Sequence, residues 1–310
     1  MAPKIGYVLP TREHVMTGRP EAAPLLDLAA KAEGLGFDSI WVGDSLIARP
    51  RHEPLSLLAA IAIRAPKLTL GTAVLLPVLR NPVVLAHQLA TIDQISEGRL
   101  VIGVGIGPDT PGVRAEYQAV GIPFDQRVGA TLEGLRLCKA LWTGEPVDWD
   151  GRWKVSGSVL GPVPHRPGGP PILMGGGSPA VRKRAGEIFD GWLPVSPNAA
   201  QWGEHWTEIQ EFAQTAGRDP AALMGAVCLN ISINEDANAA DRQLDDYLAQ
   251  YYGVVDKTTR QTHGSYAGNY VLACAVKSSS EQPNDPLVFR TYRLPKGPVK
   301  DNSFEPYFST

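Results

Sequence analysis

A chain of 310 residues is long enough to bury one large core, as a single eightfold strand–helix barrel or as two smaller domains. With 44% hydrophobic and 20% charged residues and a net charge of −3, it lacks both the composition of a disordered chain and the basic excess of a nucleic-acid or anionic-membrane binder. Its three cysteines form no Cys-x-x-Cys pair, the first residues lack a signal-peptide core, and no apolar run nears the roughly 18 residues of a membrane span, so a cytoplasmic protein is expected.

Lys4 to Leu9 reads as a first strand, and Pro24 to Leu35 as a helix with Leu25, Leu28, Ala29 and Ala32 on one stripe. Phe37 to Val42 is a second strand, Glu53 to Arg64 a helix with Pro54 in its first turn, and Leu68 to Leu75 a third strand. Pro82 to Ile95 is the next helix and Arg99 to Val104 the fourth strand. This alternation implies a parallel sheet, in which ligands bind where the strands end. Pro108 to Asp125 is rich in Pro and Gly and reads as loop, and the helix resumes only over Arg127 to Trp142. Trp149 to Val159 has the mixture of a hairpin insertion, and Gly161 to Pro171, with five prolines, is a stiff irregular connection. Ile172 to Met174, Gly191 to Val195 and Met224 to Ile233 are three more strands, with helices over Ala180–Glu187, Ala199–Ala216 and Asn238–Tyr252.

The sharpest local signal is Gly175-Gly176-Gly177-Ser178-Pro179. A strand ends, glycines allow a turn and close approach, and a helix begins whose free N–H groups attract an anion such as phosphate. The bare alternative is a tight turn with Ser178 capping its own helix. Gly103-Val-Gly105-Ile106-Gly107 does not fit a dinucleotide fingerprint, because Pro108 follows where a helix should open. These glycines either admit a flat ring or serve barrel packing. Asp44, at the end of the second strand, orients a ring or substrate or else caps the next segment. The six histidines show no metal-ligand spacing; His14 and His52 fall in loops after early strands and are candidates to line the mouth, and His87 sits within a helix. With no nucleophile elbow, the pattern suits a cofactor that carries its own reactivity.

Several motifs in order resemble the bacterial luciferase-like flavin and deazaflavin (F420) oxidoreductases. They are Glu33-Gly-Leu-Gly-Phe-Asp-Ser-Ile-Trp-Val-Gly-Asp44, Leu70-Gly-Thr-Ala-Val-Leu, Arg80 to Asp93, Ser96 to Gly107, Glu116 to Phe124 with Arg127, Leu141-Trp-Thr-Gly-Glu145, and Pro171 to Ser178 leading to Asp190-Gly-Trp192. The resemblance runs over about residues 3 to 268, so a luciferase-like barrel domain is expected over 1–268 and a divergent segment over 269–310.

The resemblance implies an α/β fold, a TIM-like (β/α)8 barrel with insertions, binding F420 or alternatively FMN where its strands end. A cis peptide would lie at Ala73–Val74 behind the ring. Asp44, Gly105, Ile106 and Gly107 would contact ring or tail, and Gly175, Gly176, Gly177 and Ser178 the phosphate. Two departures stand out. Relatives that use F420 often carry Asp-His at the end of strand two, where this chain has Asp44-Ser45, and beyond Gly264-Ser-Tyr-Ala-Gly268 the sequence is unlike theirs, leaving the last strand–helix unit open.

The function expected is F420-dependent hydride transfer to or from a small organic substrate, with Asp44 and His52 as candidate proton donors. The alternatives are an FMNH2-dependent monooxygenase fed by a separate reductase and a non-catalytic flavin-binding protein. A basic path at Arg182, Lys183 and Arg184 would favour the acidic tail of F420, unless it is a solvated helix face. A homodimer is expected.

Overall fold

The strand–helix alternation is present from Lys4 onward in the computed structural model, which describes residues 4–16, 18–195, 199–233, 237–252, 265–266 and 271–278. β1 (Lys4–Val8), α1 (Thr11–Met16), α2 (Ala23–Gly34), β2 (Ser39–Val42), α3 (Pro54–Arg64), β3 (Thr69–Leu75), α4 (Pro82–Ile95) and β4 (Leu100–Val104) form the first half. α5 (Pro111–Ala119) and α6 (Arg127–Leu141) follow, then the hairpin β5 (Val147–Asp150) and β6 (Lys154–Ser158). The second half is β7 (Ile172–Gly175), α7 (Pro179–Glu187), β8 (Gly191–Leu193), α8 (Ala199–Thr215), β9 (Met224–Ile233), α9 (Ala237–Tyr252), β10 (Ser265–Tyr266) and β11 (Val271–Ser278).

Seven strands pair in parallel in the order β1, β2, β3, β4, β7, β8, β9. β11 lies antiparallel between β9 and β1, from Val271 opposite Ile231 to Ser278 opposite Met224, and so joins the last parallel strand to the first. The eighth unit is therefore an antiparallel strand drawn from the divergent segment. Ser265–Tyr266 adds a two-residue strand beside Ser232–Ile233. Residues 279–310, His263 and the side chain of His14 lie outside the described residues.

Side chains alternate across this sheet, and two apolar clusters result. The larger joins strand residues such as Ile40, Leu70, Ile102 and Ile172 to the helices. The smaller contains strand residues alone, Trp41, Val101, Leu173, Leu193 and Ala226, and fills the inside of the ring. Gly71 makes room for it: a Cβ there would overlap the Trp41 indole, whose Nε1 donates to Ser39 Oγ at 2.9 Å.

Four readings change. The segment 108–125 is not all loop, because α5 occupies its middle. Pro111 sits in the first turn, where no N–H is needed, Thr110 Oγ1 accepts from the Val113 amide at 3.3 Å, and Val113, Glu116 and Tyr117 share the buried face. α1 was not visible as a periodic segment, being only six residues long. The hairpin begins at Val147, and β8 stops at Leu193, with Val195 making only an isolated bridge to Cys228.

Candidate active site

The C-terminal ends of β2, β3, β4 and β7 surround one mouth. At its base the peptide between Ala73 and Val74 is cis, and the β3–β4 register shifts between Thr72 and Leu75. Val74 is half-buried and its side chain lies between two glycines: a Cβ on Gly105 or on Gly175 would press into Val74 Cγ2 or Cγ1. A Cβ on Gly103 would strike the Thr72 carbonyl. Gly103 therefore accommodates the β3 backbone and Gly105 the Val74 side chain, which is the packing alternative for both.

Asp44 is 8% exposed and fully engaged. Its Oδ2 accepts from Arg80 Nη1 at 2.6 Å and from the Leu76 amide at 3.0 Å, and its Oδ1 accepts from Arg80 Nη2 at 3.1 Å. Arg80 also donates to Glu53 Oε1 at 2.8 Å, while Glu53 Oε2 caps α3 through the Ser56 amide at 2.6 Å. One buried fork thus ties the end of β2, the turn after β3 and the start of α3 together. Its carboxylate partners hold the Arg80 guanidinium above its ordinary pKa, against the opposing effect of burial.

Glu116, fully buried on α5, organises the loop after β2. Its Oε1 accepts from Ser45 Oγ and from the amides of Leu46, Ile47 and Ala48 at 2.5–3.1 Å. Ser45 Oγ in turn accepts from the Arg49 amide at 2.9 Å. His52 is held by backbone carbonyls, Nε2 at 2.8 Å from Pro20 O and Nδ1 at 3.4 Å from Thr11 O. His87 is exposed on α4.

Across the mouth, Tyr117 donates its hydroxyl to the Ile106 carbonyl at 2.9 Å, and Gly107, at φ +66°, packs against Val113. Phe124 meets Tyr117 edge-on at 5.5 Å, with Arg114 and Arg127 stacked on its ring at 4.4 and 3.8 Å. The Glu116-to-Arg127 motif thus holds both neighbouring loops, after β2 and after β4.

The β7–α7 turn differs. Gly176 adopts φ +108°, Gly177 opens onto unfilled space, and Ser178 is the N-cap residue of α7 but makes no side-chain bond to its own helix. The turn is steered from behind: Trp192 Nε1 donates to the Gly176 carbonyl and Arg182 Nη1 to the Gly177 carbonyl, each at 2.7 Å. With both carbonyls bonded to side chains, the Gly177 and Ser178 amides and the Ser178 hydroxyl border the helix start, the arrangement that suits a phosphate. Arg182 also pairs with Glu208 at 2.5 Å and Lys183 with Glu187 at 3.8 Å, so most of the basic cluster is engaged within the fold.

The mouth therefore gathers Asp44, Ala73, Val74, Gly105, Ile106, Gly107 and Gly175 to Ser178 around the cis peptide, while His52, in the loop after β2, is turned to the Thr11 and Pro20 carbonyls. Sequence reading missed the work of Arg80, Glu116, Arg182 and Trp192. A lone arginine after the apolar Leu75-Leu-Pro-Val-Leu79 and a glutamate within an otherwise apolar helix face were the available signals. No helix among the described residues is long and apolar enough to cross a membrane.

A family profile described as luciferase-like monooxygenase matches residues 3–286. The chain is similar to the F420-dependent glucose-6-phosphate dehydrogenase of Nocardia farcinica, 34% identical over 228 residues, which make up 70% of this chain and 66% of that protein. The chain thus matches just under two thirds of the length of that curated relative. A monooxygenase from Streptomyces bottropensis shares the structure with a TM-score of 0.69 at 25% identity, over 83% of this chain and 81% of that one. An F420-dependent secondary alcohol dehydrogenase in complex with an F420–acetone adduct shares the fold, with a TM-score of 0.73 at 22% identity and 87% of each chain covered.

Proposed function

Because this chain belongs to the luciferase-like monooxygenase family, we propose that it is an F420-dependent oxidoreductase acting on a small organic molecule. The observation that carries this reading is the β7–α7 turn, whose N-cap serine leaves its own helix uncapped while two side chains engage the turn's carbonyls. Gly176, Gly177 and Ser178 bind the cofactor phosphate there. When bound, the deazaflavin supplies the hydride donor or acceptor, and no protein nucleophile is required.

The protein's own part is positioning. Asp44, through Arg80 and the Leu76 amide, fixes the backbone just beyond Ala73–Val74, the shelf for the ring. Gly105, Ile106 and Gly107 form its side wall, with the Ile106 carbonyl held by Tyr117. Asp44 and His52 act as positioning residues, since both carboxylate oxygens of Asp44 have protein donors and His52 Nε2 lies 2.8 Å from the Pro20 carbonyl. Leu46 and Ile47, 41% and 55% exposed on the loop after β2, supply apolar surface for the substrate.

The names of relatives support F420, a cofactor for which F420-dependent glucose-6-phosphate dehydrogenases provide the precedent at 34% identity. The likeness to a named monooxygenase favours the second reading, an FMNH2-dependent oxygenase served by a separate reductase. Cys138 and Cys228 form no disulfide among the described residues, which suits a reducing cytoplasm. Exposed Ile63 and Val84, 72% and 54% accessible on the adjoining helices α3 and α4, suit a homodimer, which light scattering checks.

Fluorescence titration with F420 and, in parallel, FMN tests the proposal. Tighter binding of F420 supports it, preference for FMN moves the function to the oxygenase, and binding of neither overturns both.

A further inference from the structure

Arg182 comes one turn after Ser178, yet its charge is met within the fold. Its side chain is 13% exposed and joins two helices: Nη1 donates to the Gly177 carbonyl at 2.7 Å, and Nε donates to Oε2 of Glu208 on α8 at 2.5 Å. The next cation, Lys183, lies 3.8 Å from Glu187, and Arg184 belongs to the last turn of α7, at the end away from Ser178. The second side chain on the turn, Trp192, carries no charge and packs against Trp202 and His205, also from α8. One helix thus backs both bonds that hold the turn, and it brings a carboxylate to the arginine that touches it.

The groups of the turn left to meet a ligand are therefore uncharged. They are the Gly177 and Ser178 amides and the Ser178 hydroxyl, together with the partial charge of about +0.5 at a helix start. Such a set matches a singly charged phosphate. A phosphodiester carries one negative charge at neutral pH, whereas a phosphomonoester carries about −1.5 to −2. The additional charge of a monoester is opposed by the Glu208 carboxylate behind the turn. The two candidate cofactors differ in this respect. The phosphate of F420 is esterified on both sides, to the deazaflavin side chain and to the acidic tail, and that of FMN is a terminal monoester.

We propose that Glu208 is a specificity-determining residue: by offsetting the charge of Arg182, it makes the Gly176–Ser178 turn select a phosphodiester over a phosphomonoester, and so F420 over FMN. The proposal rests on the turn being the cofactor's phosphate site. Glu208 acts through Arg182 without touching the ligand, so it is a positioning residue. A tie between α7 and α8 with no part in selection predicts something else: loss of either partner would loosen the turn and weaken both kinds of ester alike.

Fluorescence titration of the full chain with F420, FMN and the methyl ester of FMN tests it, since the last two share a ring and differ in one phosphate charge. The parent is expected to favour the methyl ester over FMN. Glu208→Gln keeps an oxygen for Arg182 Nε but leaves the positive charge unopposed. It should move the ratio of the two affinities about tenfold toward FMN, the size of one unit charge in partly screened surroundings. Arg182→Gln leaves the carboxylate uncompensated and should move the ratio the other way, whatever it does to the absolute affinities. Glu204→Gln, at an exposed glutamate on α8, leaves the ratio unchanged. Should Glu208→Gln melt well below the parent, the direction of the shift in Arg182→Gln decides. A parent preference for FMN, shifts of the same sign in both variants, or no gain in FMN binding in Glu208→Gln overturns the proposal. Failure of the parent to bind F420 or either flavin ester overturns the cofactor reading, and this proposal with it; F420 binding with an unmoved ratio overturns this proposal alone.

Discussion

The two sides of the mouth are built on opposite principles. On the β2–β3 side, Asp44, Arg80 and Glu53 bond to one another and to nearby amides, and Glu116 Oε1 gathers the amides of the loop after β2, all within a dense, largely buried network. On the β7–α7 side, Trp192 and Arg182 take up the carbonyls of the glycine turn, and the N-cap serine leaves the helix start open. A network of internal bonds positions; an open helix start binds. Mutations on the first side should therefore cost stability, and mutations on the second should cost ligand.

The largest effect is expected at Asp44. Asp44→Ala leaves the Arg80 guanidinium and the Leu76 amide without their buried acceptor, and removing one partner of a buried pair costs about 3 kcal/mol or more. A fall of that size in urea-unfolding free energy, with loss of cofactor binding, is expected; a stability close to the parent's would break the comparison. Glu116→Gln comes next, at about 2 kcal/mol, since Oε1 loses the charge that four donors share. Faster hydrogen exchange at the Leu46, Ile47 and Ala48 amides locates the damage.

Gly177→Asp sharpens the contrast from the other side. Nothing lies within 4 Å of a Cβ at Gly177, so the fold accepts a side chain there. A carboxylate at a helix start is favourable by itself but repels a phosphate. The expected result is an unchanged melting temperature with cofactor affinity lowered about tenfold or more, equivalent to roughly 1.4 kcal/mol.

Two titrations give the smaller effects. Burial pushes the Tyr117 phenol from 10.0 up to about 12. The neutral form is the one the fold accepts, so its contribution is whole below 10.0 and is lost as pH rises toward 12. Tyr117→Phe should flatten that alkaline limb in melting curves. Glu53 is held below its ordinary 4.5: burial, the largest influence, raises it, but the bonds from Ser56 and Arg80 together outweigh it. Its contribution is present above 4.5 and fades as pH falls through the lowered value, so Glu53→Gln should shrink the acid limb.

Most strands and helices were legible because local apolar periodicity and capping residues fix them. The helix over Pro82–Ile95 and the strand over Met224–Ile233 were read to the residue. α5 was hidden because Pro111 and Gly112 look like loop residues, although a proline suits the first turn of a helix. The phosphate turn was visible as a motif, but whether Ser178 serves its own helix is a torsional fact that composition does not contain. Asp44 was visible as a carboxylate at a strand end, and its commitment to Arg80, 36 residues away, was not.

By itself, then, the sequence determined the alternating architecture, the mouth where the strands end and the glycine turn, because each depends on neighbours in the chain. Tertiary structure alone decided that Gly103 and Gly105 make room for the β3 backbone and Val74, that Glu116 shapes a loop some 70 residues away, and that Arg182 is paired with Glu208 on the next helix. It also decided that β11 runs antiparallel. An apolar run can signal a strand, but its direction and neighbours depend on long-range hydrogen bonds that form only when the ring closes.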